Sequence, residues 1–229
     1  MMKMIIYGLM KIKHHSLFKS LDKERIDWDY LRDDSRELNY YIPNDIDTYE
    51  KLCTQSFDYN QFNKIKSLMT KLGSTQIFSL GSGRSCLEYK LAKLKYDVII
   101  SDNSKSIKRL KNLNIFTEIL NLNFQESIKK IRDKDVVLLG RIDTEIDDDE
   151  LMVLFNELGK KAKYVIFIPA KILNLKNILV EAYIRFKSSF FFKKKIFCGY
   201  IRSTGHLKSL WKKSFDHKNY KTFYLLKSK

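Results

Sequence analysis

The chain has 229 residues, 44% of them hydrophobic and 13% aromatic, enough for one good core or one domain with an appended segment, which excludes a disordered chain. No run of 18 apolar residues occurs, which excludes a membrane span, and Cys53, Cys86 and Cys198 lack metal-type spacing and read as reduced thiols of a cytoplasmic protein. The net charge of +16 rests mostly on dispersed lysines, with only nine arginines among 43 basic residues, so a nucleic-acid partner is not favoured.

Met4 to Met10 is apolar but short, lacks a cleavage site, and reads as a strand or packed terminal segment rather than a signal peptide. Residues 1–60, rich in aromatics such as Trp28, Tyr40 and Tyr41, read as an N-terminal helical cap that selects the acceptor, with those three as candidate pocket walls. From residue 61 the periodicity is regular. Gln61 to Leu72 predicts a helix stopped by Gly73, Gln76 to Leu80 a buried strand, Ser85 to Lys93 a helix, and Tyr96 to Ser101 a second strand. Ser104 is placed to cap a helix that buries Ile107 and Leu110. Phe116 to Leu122 and Val136 to Leu139 predict two more strands, the latter covered on both faces. Asp147 to Leu158 predicts a helix with a capping pair, Asp147 and Glu150, and Gly159 as its stop; Tyr164 to Ile168 is a fifth strand, followed by a helix over residues 174–187. In the tail, Ile196 to Tyr200 is extended, Thr204 to Lys213 helical, and Phe215 to Lys227 one or two strands.

This alternation predicts an α/β fold: a doubly wound, mostly parallel sheet with a late antiparallel strand, over residues 61–229, preceded by the cap. The densest basic stretch, Lys193-Lys194-Lys195 after Phe190-Phe191-Phe192, reads as a turn with snorkelling lysines beside buried phenylalanines.

The segment "IFSLGSGRSCLEYKLAKLKYDVIISDNS", Ile77 to Ser104, carries the chemistry. Gly81 and Gly83 allow a tight bend and close backbone approach, and the next helix offers its N-terminal amides. Asp102 follows Gly81 by 21 residues at the end of the second strand, where a carboxylate accepts both ribose hydroxyls of a nucleotide. A dinucleotide fingerprint would want a third glycine at position 86, where Cys86 stands.

These residues resemble the first two motifs of the Rossmann-like, class I S-adenosylmethionine-dependent methyltransferases, and Asp133 to Ala170 and Gly199 to Lys227 are similar to that family's later strands. Two departures stand out: the family's leading acid is Ser79 here, and its third motif glycine is Ser85. The resemblance implies S-adenosylmethionine as cofactor, with Ser79, Gly81, Ser82 and Gly83 along its methionine and ribose part and Asp102 on the ribose diol. It further implies Asn103, Asn123 and Phe124 against the adenine, and Gly140 and Arg141 beside the methionine portion. Arg141 has an alternative reading as a surface partner of Asp143.

Glu145 and Asp143 are the candidate bases for an acceptor that must lose a proton; both also read as acids favouring a helix N-terminus. His206 has no catalytic spacing, and Asp147-Asp148-Asp149 would splay around a helix, so no metal site is expected. The loop after the fourth strand lacks the Asn/Asp-Pro-Pro-Tyr/Phe and Pro-Cys motifs of nucleobase-methylating enzymes. The expected activity is methyl transfer to O or N of a small-molecule or glycan-like acceptor. Aminopropyl or aminobutyryl transfer, a non-catalytic binding module and RNA methylation remain as alternatives, and the oligomeric state is open.

Overall fold

The computed structural model of the chain describes residues 8–16, 26–36, 40–55, 57–190 and 196–229. By contact, the chain forms two compact units. The larger unit comprises Trp28–Gly140, Glu157–Ile168 and Phe215–Lys229; the smaller comprises Met1–Asp27, Arg141–Asn156 and Pro169–Ser214.

The elements run in the order β1 Lys11–Ser16, α1 Trp28–Asp33, α2 Ile46–Gln55, α3 Tyr59–Leu72, β2 Gln76–Leu80, α4 Cys86–Lys93 and β3 Asp97–Asp102. A 3-10 segment over Lys105–Leu113 precedes β4 Glu118–Asn121, α5 Phe124–Ile128 and β5 Val136–Gly140. A short 3-10 turn at Ile142–Thr144 leads into α6 Asp148–Lys161, β6 Tyr164–Ile168, α7 Leu175–Phe190, β7 Ile196–Arg202, α8 Thr204–Trp211, β8 Phe215–Asn219 and β9 Tyr224–Ser228.

The larger unit is built on a seven-stranded sheet ordered β4-β3-β2-β5-β6-β9-β8. Its first five strands are parallel, and β9 joins β6 antiparallel, with β8 antiparallel on β9. The central strands are continuous apolar runs because both faces are covered: Phe78, Val98, Ile100, Val137, Leu139 and Phe167 are fully buried. Helix α3 begins where the Asp58 carboxylate accepts from the Gln61 amide and ends at Gly73, whose φ of 64° closes a left-handed cap. Ser104 caps the following segment as expected, but that segment is 3-10 rather than α-helical.

In the smaller unit, β1 pairs antiparallel with β7. The terminal strand thus lies at Lys11–Ser16, past the apolar run read from Met4 to Met10, whose first four residues fall outside the described ones. The edge-to-face rings of Phe155 and Trp211, 5.5 Å apart, pack there with buried Leu151, Ile201 and Leu207. Helix α6 keeps the expected cap, with Glu150 N donating to Asp147 Oδ1 at 3.0 Å, but it passes through Gly159 to Lys161. The lysines of its last turn suit the negative helix end, which offsets the low helix propensity of one glycine.

Candidate functional site

The bend between β2 and α4 holds three left-handed residues in alternation: Gly81 at φ 62°, Gly83 at φ 56° and Ser85 at φ 57°. The first two are glycines, for which this region costs nothing. Ser85 occupies the third motif position, and the structure gives the reason a glycine belongs there: an L side chain in this region costs about 1–2 kcal/mol. Its buried hydroxyl makes no capping bond and has no partner among the described residues. Ser85→Gly is therefore expected to stabilise the protein by about 0.5–1 kcal/mol, after subtracting the extra freedom glycine gives the unfolded chain. A urea titration that shows no upward shift in midpoint would contradict this.

Asp102, at the carboxyl end of β3, points at the bend. Its Oδ2 accepts the Gly83 amide at 2.9 Å and its Oδ1 the Ser104 amide at 2.9 Å. A residue that sequence reasoning missed shares this carboxylate. Arg32, from α1, donates through both terminal nitrogens to the two oxygens of Asp102, at 2.9 and 3.3 Å, and both side chains are buried. The guanidinium also lies 5.7 Å from the Trp28 ring, which packs edge-on against Tyr40. Helix α1 is pinned further by Asp29, which accepts from the Ser104 hydroxyl and the Ser106 amide, and by Arg109, which donates to the Arg32 carbonyl. Trp28 and Tyr40 are thus walls around an arginine.

Ser79, where the family's leading acid stands, donates its hydroxyl to Glu88 Oε1 at 2.6 Å, with both groups buried. A carboxylate therefore does sit beside residue 79, supplied from α4 nine residues later. From the other side, the Tyr49 hydroxyl donates to the Arg84 carbonyl at 2.6 Å, and burial raises its pKa. Cys53 and Cys86 form a disulfide between α2 and α4, with Cα atoms 5.0 Å apart; among the described residues only Cys198 is a free thiol. This corrects the reading of three reduced thiols. The cytoplasmic expectation rested on those thiols and loses that support.

The adenine-side candidates divide. Asn103 is exposed, Phe124 is half-buried, and Asn123 spends its side chain in a capping box with Glu126 at the start of α5. Asn121, two residues earlier, donates to the carbonyls of Asp102 and Ser104 at 3.1 and 3.2 Å and so braces the loop that carries Asn103. Ser82 donates its amide to the Ser101 carbonyl, while its own buried hydroxyl has no partner among the described residues. Gly140 closes β5 opposite Ile168.

The remaining candidates belong to the smaller unit. Arg141 is exposed at φ 63°. Asp143 is fully buried, its Oδ1 accepting the Ala170 amide at 2.8 Å, so it opens onto no acceptor; Glu145 is exposed. Of the two candidate bases, Asp143 turns its carboxyl inward and ties two chain segments together, while Glu145 is the exposed one. Burial pushes the Asp143 pKa up to about 6. Between about pH 4 and 6 the folded state keeps a proton that the unfolded state has released, so stability falls as pH rises through that window, by up to about 3 kcal/mol. Asp143→Asn is expected to abolish this component, seen as the difference between wild-type and variant urea midpoints at pH 4 and pH 7. Equal pH dependence of the two would refute it.

The three consecutive aspartates divide their work. Asp147 caps α6, Asp149 is exposed, and Asp148 receives Lys11 Nζ at 2.6 Å, Arg202 Nε at 2.7 Å and His206 Nε2 at 2.9 Å. Burial alone would raise the Asp148 pKa, but these three donors outweigh it and hold it at about 2. Arg202, wholly buried, also donates to the carbonyls of Asp143 and Ile146. No group of three or more metal-ligating side chains occurs among the described residues.

A central β2 flanked by β3 and β5, a glycine bend at its carboxyl end, an acid ending β3 and a closing antiparallel hairpin together decide the architecture. This is a class I methyltransferase fold. Solved structures agree. WbdD, in its complex with the kinase inhibitor LY294002, superimposes with a TM-score of 0.57 at 13% identity over 88% of this chain and 47% of its own. Magnesium protoporphyrin IX methyltransferase from Synechocystis, with bound SAH, gives 0.53 at 12% identity over 87% of this chain and 98% of its own. Human N-acetylserotonin methyltransferase in complex with SAM gives 0.53 at 15% identity over 79% and 55%. The chain spans about half the length of the WbdD chain. No protein-family model and no curated protein sequence matches it. At these identities the likeness is one of fold. In the methyltransferase fold no helix of the described residues is long and apolar enough to cross a membrane.

Proposed function

We propose that the chain binds S-adenosylmethionine at the bend after β2 and acts as a methyltransferase toward an O or N atom of a small-molecule or glycan-like acceptor. The observation that carries this reading is the aim of Asp102: its carboxylate faces the Gly81–Gly83 bend and already holds the Gly83 amide. The Ser82 hydroxyl, without a partner among the described residues, and the two glycine positions suit a ligand that approaches the backbone closely. Glu88 brings a carboxyl group beside Ser79, the position where an acid would pair with the cofactor's ammonium group. When bound, the cofactor supplies a sulfonium methyl group for in-line displacement, a step that depends chiefly on positioning. Gly81, Ser82 and Gly83 would line its methionine and ribose part, Asp102 would accept the ribose diol, and Asn103 and Phe124 would lie against the adenine.

One residue does not fit. Arg32 satisfies both Asp102 oxygens, so a ribose diol reaches them only after the guanidinium withdraws. The same pair favours a second reading, a non-catalytic member of this fold in which Arg32 permanently replaces the sugar. Calorimetry with S-adenosylmethionine and S-adenosylhomocysteine on wild type, Asp102→Ala and Arg32→Ala separates the two. Binding that disappears in Asp102→Ala supports the methyltransferase; no binding to wild type or Arg32→Ala supports the second reading. Recovery of methylthioadenosine instead of S-adenosylhomocysteine as product would move the activity to aminopropyl transfer.

A further inference from the structure

Helix α7 belongs to the smaller unit and presents an unusual outer face. Leu179, Tyr183, Phe186 and Phe190 are 60%, 58%, 57% and 68% exposed, and Leu175 is exposed in the same line. At about 100° per residue these five side chains fall within an arc of about 80°. The opposite side faces inward: Ile184 is buried, as is Glu181, whose carboxylate accepts from the His15 amide and contacts Arg185. The expectation of buried phenylalanines therefore fails at Phe190; Phe191, Phe192 and Lys193 to Lys195 lie outside the described residues.

The charges of the helix are one-sided. Lys176, Arg185 and Lys187 flank the apolar stripe, and Glu181, turned inward, is the only acid on α7. An apolar stripe bordered by cations on an exposed helix face matches a surface that is apolar beneath and anionic above. A second copy of the chain fits poorly, because pairing two such faces would set basic residues against basic residues with no exposed acid on α7 to oppose them.

We propose that α7 forms a peripheral binding surface for anionic phospholipid membranes, with Phe186 and Phe190 entering the headgroup–acyl boundary and Lys176, Arg185 and Lys187 pairing with lipid phosphates. This surface is independent of the cofactor reading and does not require it. The test is co-sedimentation of the full chain with phosphatidylcholine vesicles, with and without phosphatidylserine. Partitioning is expected to be about tenfold stronger with phosphatidylserine and to fall as salt is raised. The pair Phe186→Ser and Phe190→Ser is expected to lower it by about tenfold while far-UV circular dichroism stays unchanged, since both residues are exposed. Absence of sedimentation with either vesicle overturns the proposal, as does a dimer of the wild-type chain in ultracentrifugation that the same substitutions convert to monomer.

Discussion

Gly199→Ala is expected to destroy the packing of the smaller unit. Gly199 lies in β7 at φ 105°, and a Cβ built there would fall 1.5 Å from the Thr144 carbonyl oxygen and 2.5 Å from its carbon. The obstacle is backbone, so no rotamer change relieves it. The pairing register skips a residue beside this position: His14 faces Gly199 and His15 faces Phe197, so Cys198 is the extra residue of a bulge. Thr144 in turn belongs to the 3-10 turn whose Asp143 carbonyl accepts from the buried Arg202. Moving Thr144 away would disturb that guanidinium network as well. Left-handed strain and overpacking together put the expected loss above about 4 kcal/mol, a large part of the total stability of an ordinary domain. Urea unfolding followed by Trp211 fluorescence in a Trp28→Phe background would report it, with Gly140→Ala as control, since no atom lies within 4 Å of a Cβ built there. A Gly199→Ala midpoint close to that control would show that the close approach to Thr144 is not needed.

Arg32→Ala is expected to weaken the fold and strengthen ligand binding at once. Removing one member of a buried ion pair is costly because the other remains buried, by about 3–5 kcal/mol in general. Here Asp102 keeps the amides of Gly83 and Ser104, so the lower end of that range is expected. In the wild-type chain a ribose must compete with the guanidinium, and apparent affinity is scaled down by the fraction of molecules in which Arg32 has withdrawn. With the competitor gone, affinity for S-adenosylhomocysteine should rise about tenfold or more, and the ligand should return lost stability in proportion to its saturation. Asp102→Ala should lose both effects. Weaker binding in Arg32→Ala would mean that Arg32 belongs to the ligand site rather than blocking it.

The sheet was legible in the sequence because its signals are local. Runs such as Val136 to Leu139 and Tyr164 to Ile168 are apolar on both faces, and Gly73 and the Asp147–Glu150 pair punctuate helices by rules that reach only a few residues. The bend was legible for the same reason: Gly81 and Gly83 need positive φ within one turn. Extended runs in the tail were also read correctly as strands, but periodicity does not say which partner a strand takes. Ile196 to Tyr200 leaves the main sheet and pairs with β1, some 180 residues away in sequence.

By itself, then, the sequence determined the order of the parallel strands' elements, the glycine bend and the acid that ends β3, since propensity, capping and backbone sterics act over short stretches. Tertiary structure alone decided what surrounds them. Arg32 reaches Asp102 across 70 residues, Cys53 finds Cys86 across 33, and Glu88 comes to Ser79 because a helical turn folds it back over the strand. Asp143 became an interior tie and α7 kept its aromatic stripe outside. Burial and long-range ion pairing depend on which surfaces the chain brings together, and no residue's own neighbours in sequence carry that information.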